Sequence, residues 1–354
     1  MRMKTILILI AILTLLGVLT LSVLAHPSFG LFRPRTSQQR ILHSPNWRNG
    51  QFNNQLPTPQ FTGKQSMFSA MRTMLFDRRS NRYPEQPLHV VKTDLNALPI
   101  HSDWLIWFGH SSYMFCLGGK RFLVDPVLTT AFPASLMMQP FKGTDIYHPD
   151  DMPFIDYLIV THEHWDHMDY ATLRRLRDKV GHVFCPLGIA DYLRLWHYSD
   201  RLITEMDWDE SITLNDSLTV TCLPTRHFSN RLLNRNQTLW ASFMVQKCGR
   251  QVYVGGDGGY DHRFRLIRQR FGAVDVAFLE NGQYSDNWAL IHTTPQDLEK
   301  AMLDLQAKQV FTVHHDKFAL SMHPWNEPDS VARQIAEKHN LNLLDQPIGQ
   351  VVPF

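Results

Sequence analysis

The chain has 354 residues, 44% of them hydrophobic and 19% charged, enough to bury one large core or two ordinary ones. A formal net charge of +2 offers no general attraction for a polyanion, so nucleic acid is excluded as an expected partner. The four cysteines, Cys116, Cys185, Cys222 and Cys248, stand far apart without CxxC pairing. Neither a disulfide framework nor a thiolate metal site is expected from them, and burial as free thiols accounts for the three in apparent strands.

Residues 1–25 begin Met1-Arg2-Met3-Lys4 and continue without charge, rich in Leu and Ile, from Thr5 to Ala25. That length suits a membrane-crossing helix of about 20 residues. Val23-Leu24-Ala25 also has the look of a small-residue cleavage site. The segment is therefore a transmembrane anchor or a signal peptide, with its length favouring the anchor. The basic start predicts an extracytoplasmic, periplasmic body, and Arg33, Arg35 and Arg40 reduce the charge asymmetry behind that expectation. Residues 26–95 form a basic, Pro/Asn-rich arm. Between Leu31 and Tyr83 nine Lys or Arg accompany one acid, Asp77, which fits either a solvated arm or contact with a membrane surface. One short helix is expected there, around Gln65 to Asp77.

Beyond residue 95 short apolar runs are split by turn residues. Trp104–Phe108, Tyr113–Leu117 and Arg121–Val124 read as strands, with Gly118-Gly119 as the hairpin turn between the last two. Tyr157–Val160 and His182–Cys185 follow as strands, with a helix capped by Asp169 between them. A second strand-rich block comprises Leu218–Leu223, Leu239–Gln246 and Gln251–Gly255. Helices at Phe264–Phe271 and Thr294–Leu305 then alternate with strands at Val274–Leu279 and Gln309–Val313, and a last helix runs near Pro328 to His339. Two sheets sandwiched between helices fit this order, an α/β arrangement.

The chemistry concentrates in Thr161-His162-Glu163-His164-Trp165-Asp166-His167. Three imidazoles and a carboxylate are poor core material but good ligands for a divalent metal. In extended chain His162 and His164 point to one side, while Asp166 and His167 lie on the turn into the next helix. One short loop can therefore serve two adjacent metal positions. Further ligand-type residues follow other apolar strands: His227 after Leu223, Asp257 in Gly255-Gly256-Asp257-Gly258-Gly259, and the pair His314-His315 after Val313. The Gly-rich loop has neither P-loop nor dinucleotide-binding spacing. Asp125, ahead of Pro126, fits a structural turn.

The order Asp125, His162-x-His164-x-Asp166-His167, His227, Asp257, His314 resembles the metallo-β-lactamase superfamily, a four-layered αββα sandwich. Gly109-His110-Ser111-Ser112, Leu123-Val124-Asp125-Pro126, Thr238–Phe243, Gly256–Tyr260 and Phe318-Ala319-Leu320 are similar to its N-acyl-phosphatidylethanolamine-hydrolysing phospholipase D branch. The resemblance covers about Trp104 to Trp325 and makes residues 96–354 a hydrolase domain. It implies two zinc ions (Zn2+) per chain. His162, His164 and His227 would hold one, Asp166, His167 and His314 the other, and Asp257 would bridge them. Asp125 would support the ligands from behind. The spacing to Phe318 selects His314 over His315, and His315-Asp316 departs from the Trp-Gly common in the family. Asp166 and Asp257 would orient the attacking water, and His292 would protonate a leaving group or position phosphate. His110 is expected to be structural, and His148, His262 and His323 ordinary.

The resemblance implies a zinc-dependent phosphodiesterase of phospholipase D type, acting on N-acyl-phosphatidylethanolamine or a related phospholipid. A phospholipid substrate and a membrane surface are the expected partners, and a homodimer is compatible with the chain. The alternative is a metal-dependent hydrolase of a soluble substrate such as a lactone or sugar phosphate. An apolar entry surface would favour lipid, and Ala131–Met138 with Arg231-Leu232-Leu233 are its candidates.

Overall fold

A strand covered on both faces is expected to be apolar along its whole length, and Tyr113–Leu117 is the clearest case here. Tyr113–Leu117 is buried at every position. Tyr113, Phe115 and Leu117 join one hydrophobic core, whereas Met114 and Cys116 join another. Side chains alternate across a strand, so two cores on one strand mean packing layers on both of its sides. The computed structural model describes residues 2–64, 66–76, 80–136, 138–232 and 234–354. Met1, Gln65, Asp77, Arg78, Arg79, Met137 and Leu233, which fall within segments that the sequence expectations cover, lie outside the described residues.

A short antiparallel hairpin pairs Trp47–Arg48 with Gln51–Phe52, and the strands of the two main sheets, in chain order, are β1 (Trp104–Trp107), β2 (Tyr113–Leu117), β3 (Lys120–Val124), β4 (Ile155–Ile159), β5 (Val180–Pro186), β6 (Ile203–Met206), β7 (Ser211–Thr213), β8 (Thr219–Leu223), β9 (Ser242–Lys247), β10 (Arg250–Val254), β11 (Val276–Glu280), β12 (Gln309–Val313) and β13 (Val351–Pro353). The helices are α1 (Arg2–Leu24), α2 (Gln38–His43), α3 (Met67–Phe76), α4 (Tyr170–Leu176), α5 (Ile189–Leu195), α6 (Arg263–Phe271), α7 (Pro295–Leu305) and α8 (Glu327–His339). One sheet has the order β13-β1-β2-β3-β4-β5-β6 and the other β12-β11-β10-β9-β8-β7. Their inner faces meet in an aromatic core, where Tyr113 of the first sheet stacks on Phe278 of the second at 4.0 Å between ring centroids. Helices α4 and α5 cover the outer face of the first sheet, and α6, α7 and α8 that of the second. The protein is a four-layered αββα sandwich.

β3 runs parallel to β4, and β10, β11 and β12 run parallel to one another. β8 has the direction of β10, because each pairs antiparallel with β9. The C-terminal ends of the parallel strands therefore gather the loops that carry Asp125, His162–His167, His227, Asp257 and His314.

Residues 26–95 are tied into the body more closely than a solvated arm. Ile41 and Phe52 enter the core between the sheets and Leu95 the core behind the first. Several of the basic residues are engaged: Arg40 pairs with Glu210, and the buried Arg82 donates to the Ser321 carbonyl. Helix α1 carries a stretch, Thr5–Leu24, long and apolar enough to cross a membrane. Just beyond it, the fully buried Arg231 donates to the carbonyls of Ser28, Glu163 and Met168 at 2.6, 2.9 and 2.5 Å. Its guanidinium also lies 5.4 Å from the Tyr192 ring centre. Arg231→Leu would leave three buried carbonyls unpaired, with an expected cost of at least about 3 kcal/mol. The check is a lower urea midpoint with an unchanged denaturant slope.

Candidate metal centre

Asp125 is the buried support of the site. Its carboxylate accepts from the Thr161 backbone N–H at 2.8 Å, from the Thr161 hydroxyl at 2.5 Å and from His167 Nδ1 at 2.8 Å. It thereby fixes the chain leaving β4 and directs His167 Nε2 into the site, as a carboxylate behind a metal-binding imidazole does. Asp125, His110 and His314 have φ of 41°, 53° and 78°, a left-handed region uncommon for residues other than glycine. His110 and His314 hold each other there through paired backbone bonds: His314 N–H donates to the His110 carbonyl and His110 N–H to the His315 carbonyl, both at 2.9 Å.

Two groups of ligand atoms result. His162 Nε2 lies 2.9 Å from His164 Nδ1, and His227 Nε2 lies 3.2 Å from the same atom. His227 donates Nδ1–H to the Ile291 carbonyl at 2.7 Å, which leaves Nε2 with its lone pair toward the others. In the second group Asp166 Oδ2 is 3.7 Å from His167 Nε2 and 3.6 Å from His314 Nε2. Asp257 Oδ2 stands between the groups, 3.1 Å from His167 and His314 and 3.9 and 3.8 Å from His162 and His227. The glycines flanking Asp257 are needed for close approach. A Cβ on Gly258 would fall 2.1 Å from Thr225 Oγ1, and one on Gly256 2.5 Å from the Ala241 carbonyl.

Burial drives His164 down to about 4 and holds His162 and His227 well below the usual imidazole range, so their lone pairs are free for a cation. Burial opposes ionisation of Asp166 and Asp257 too, but His167 and the other imidazoles facing them keep both carboxyls well below their usual range. His314 shows the converse: despite burial, Asp257 and Asp166 lift it to about 10. The Nε2 atoms of His167 and His314 are buried with no hydrogen-bond partner among the described residues. The edge-on imidazoles of His162, His164 and His227, the orphaned Nε2 atoms of His167 and His314 and the ionised carboxylates between them fit a divalent metal.

His292 lies at the edge of both groups, its ring 5.1 Å from that of His227 and 5.4 Å from that of His314. Its Nδ1 is bonded to Glu280 Oε1. Glu280 ends β11, is buried, and also accepts from the Gly258 N–H at 2.8 Å and the Thr293 N–H at 3.2 Å. The sequence expectations omit Glu280, although an acid closing the apolar run Val276–Leu279 is a signal of the same kind as the other ligands. His110, expected to be structural, faces the site: burial and His314 push it down to about 3, and its Nε2 lies 3.0 Å from Asp166 Oδ2. His315 points away from the two groups. Of the expected apolar surface, Phe132 and Leu232 are exposed, whereas Ala131 and Met138 are buried and Arg231 is a buried tie.

Residues 120–315 match the Beta-lactamase superfamily domain. The chain is 33% identical over 318 residues to an uncharacterised protein of Mycobacterium tuberculosis, covering 87% of this chain and 84% of that one. It is 25% identical over 296 residues to N-acyl-phosphatidylethanolamine-hydrolyzing phospholipase D 1 of Caenorhabditis elegans, covering 75% of this chain and 81% of that one. Among solved structures it is similar to CmlA, a diiron beta-hydroxylase from Streptomyces venezuelae, with a TM-score of 0.55 and 20% identity over 72% of this chain and 54% of that chain. The chain belongs to the metallo-β-lactamase superfamily, and with its relatives and ligand groups it is a metal-dependent hydrolase.

Asp125→Asn keeps the shape but weakens the grip on His167, and metal affinity should fall about 10- to 100-fold, measured by competition with a chelator. In the metal-free chain, the native pKa values of His110 and His164, about 3 and about 4, lie below the ordinary 6.5. Between about pH 4 and 6.5 the unfolded chain then binds more protons, so stability held above 6.5 is lost on acidification. Chelator-treated protein should melt at a lower temperature at about pH 5 than at about pH 7.

Proposed function

We propose that this chain is a zinc-dependent phosphodiesterase of phospholipase D type, with two zinc ions per chain and N-acyl-phosphatidylethanolamine or a related phospholipid as substrate. One observation carries the lipid part: the short segment that follows the membrane-length helix packs beside the metal loop. His26 contacts the rings of Phe132 and Tyr170 at 4.8 and 5.3 Å, and Phe29 contacts Trp165 at 6.1 Å, beside Asp166 and His167. The exposed Phe132 and Leu232 support an apolar approach to the same loop. The similarity to a phospholipase D across most of both chains supports the reaction class.

His162, His164 and His227 would hold one ion, and Asp166, His167 and His314 the other, with Asp257 between them. When bound, such ions polarise a phosphoryl oxygen and supply a water nucleophile at neutral pH. The chain's own groups do the rest. Asp166 and Asp257, kept ionised, accept a hydrogen bond from the attacking water and orient it toward phosphorus. Glu280 occupies Nδ1 of His292, so a proton passed to the leaving oxygen comes from Nε2. Water adds at phosphorus, the phosphorus–oxygen bond to the N-acylethanolamine breaks, and the alcohol oxygen takes the proton.

The test mixes the zinc-loaded full chain in detergent micelles with N-acyl-phosphatidylethanolamine. Phosphatidic acid and N-acylethanolamine are the expected products. No turnover in a sample shown to hold two zinc ions would overturn the lipid assignment and favour a soluble substrate such as a lactone or sugar phosphate. His162→Ala and Asp257→Ala should each lose metal and turnover together. His292→Gln should keep its metal content while kcat falls about a hundred- to ten-thousand-fold.

A further inference from the structure

Back to back with His314, on the far side of the same turn, His315 meets two acids. Its Nδ1 lies 3.3 Å from Asp316 Oδ1 and 3.4 Å from Asp329 Oδ1. His315 is almost fully buried, and neither its Nδ1 nor Asp316 Oδ1 has a hydrogen-bond partner among the described residues. The other ring nitrogen, Nε2, is engaged with the Thr312 hydroxyl at 3.2 Å. Arg333, the cation nearest Asp329, reaches only its other oxygen, Oδ2, at 3.9 Å. All three donor atoms lie within 4.8 Å of one another.

We infer that His315, Asp316 and Asp329 form a second, separate site for a divalent first-row cation. The two separations from His315 Nδ1, 3.3 and 3.4 Å, match the edges of a tetrahedral zinc-type site, roughly 3.3–3.6 Å for bonds of about 2.0–2.2 Å. One imidazole and two carboxylates are a donor set such ions accept. Beside the three residues is a cavity of about 270 Å³, lined also by Trp107, Phe311 and Leu344, with room for water to complete the coordination. The backbone accommodates the arrangement at some cost: Asp316, at φ 59°, is a second left-handed residue two positions after His314. Asp329 belongs to the first turn of α8, whereas His315 and Asp316 belong to the turn that delivers His314. A cation here clips the helix to that turn and is structural rather than catalytic.

The measurement is a count of zinc per chain, by elemental mass spectrometry, on full-length protein in detergent micelles equilibrated with buffered Zn2+. Asp316→Asn suits it because Asn tolerates the left-handed region, and Asp329→Asn because that side chain is partly exposed. Each variant should hold one ion fewer than the unaltered chain. In a His162→Ala background, which disables the main centre, adding Asp329→Asn should still remove one ion. Equal counts in the unaltered chain and both variants would overturn the site and leave His315 as a charged partner of the two acids. A second readout needs no variant: crystals of the zinc-loaded chain should show anomalous density between His315 Nδ1 and Asp329 Oδ1, and its absence would also overturn the proposal.

Discussion

Everything at the metal centre depends on one buried carboxylate. Asp125 has its charge removed from water, a costly placement, and three short hydrogen bonds offset that cost. Burial still raises its carboxyl above the usual value, with His167 and Thr161 pulling the other way. The bonds join the end of β3 to the chain leaving β4, so the sheet's geometry is passed to the loop bearing four ligand-type residues. Without that link the loop would be a surface turn rich in histidine.

The two ligand groups differ in charge, and their surroundings produce the difference. The first contains only imidazoles, kept neutral chiefly by burial. The second places two imidazoles against Asp166 and Asp257, and the exchange of charge keeps the carboxyls ionised and the imidazoles basic. A cation entering the second group displaces protons held between His167, His314 and the acids, whereas one entering the first displaces few. Cation binding by the second group would therefore be coupled to pH more strongly than binding by the first.

Much of this was legible in the sequence because ligand chemistry and strand ends coincide there. Asp125, His162, His227, Asp257 and His314 each follow an apolar run, and a run that stops at a polar residue marks both a strand end and a candidate ligand. Strands buried on both faces were visible as unbroken apolar stretches such as Tyr113–Leu117. Other features were not legible, for definite physical reasons. Glu280 looks like the solvated end of a strand until the fold brings Gly258 and Thr293 to its carboxylate. His110 sits 56 residues from the Asp166 it bonds. Strand alternation could not separate His314 from His315, because a left-handed residue at 314 breaks the alternation at that point. Short elements with little pattern, α5 and β6 among them, emerged only from packing.

The tie made by Arg231 also sets a leash. Helix α1 ends at Leu24, and the carbonyl gripped by Arg231 belongs to Ser28. Four residues of fully extended chain reach at most about 14 Å. However the helix tilts or hinges, the metal-loop carbonyls held by the same guanidinium stay within that reach of the helix end plus the span of one guanidinium and its hydrogen bonds. A long flexible tether would let the body sample a wide sphere about the helix end; this one confines the metal loop to a thin shell around it.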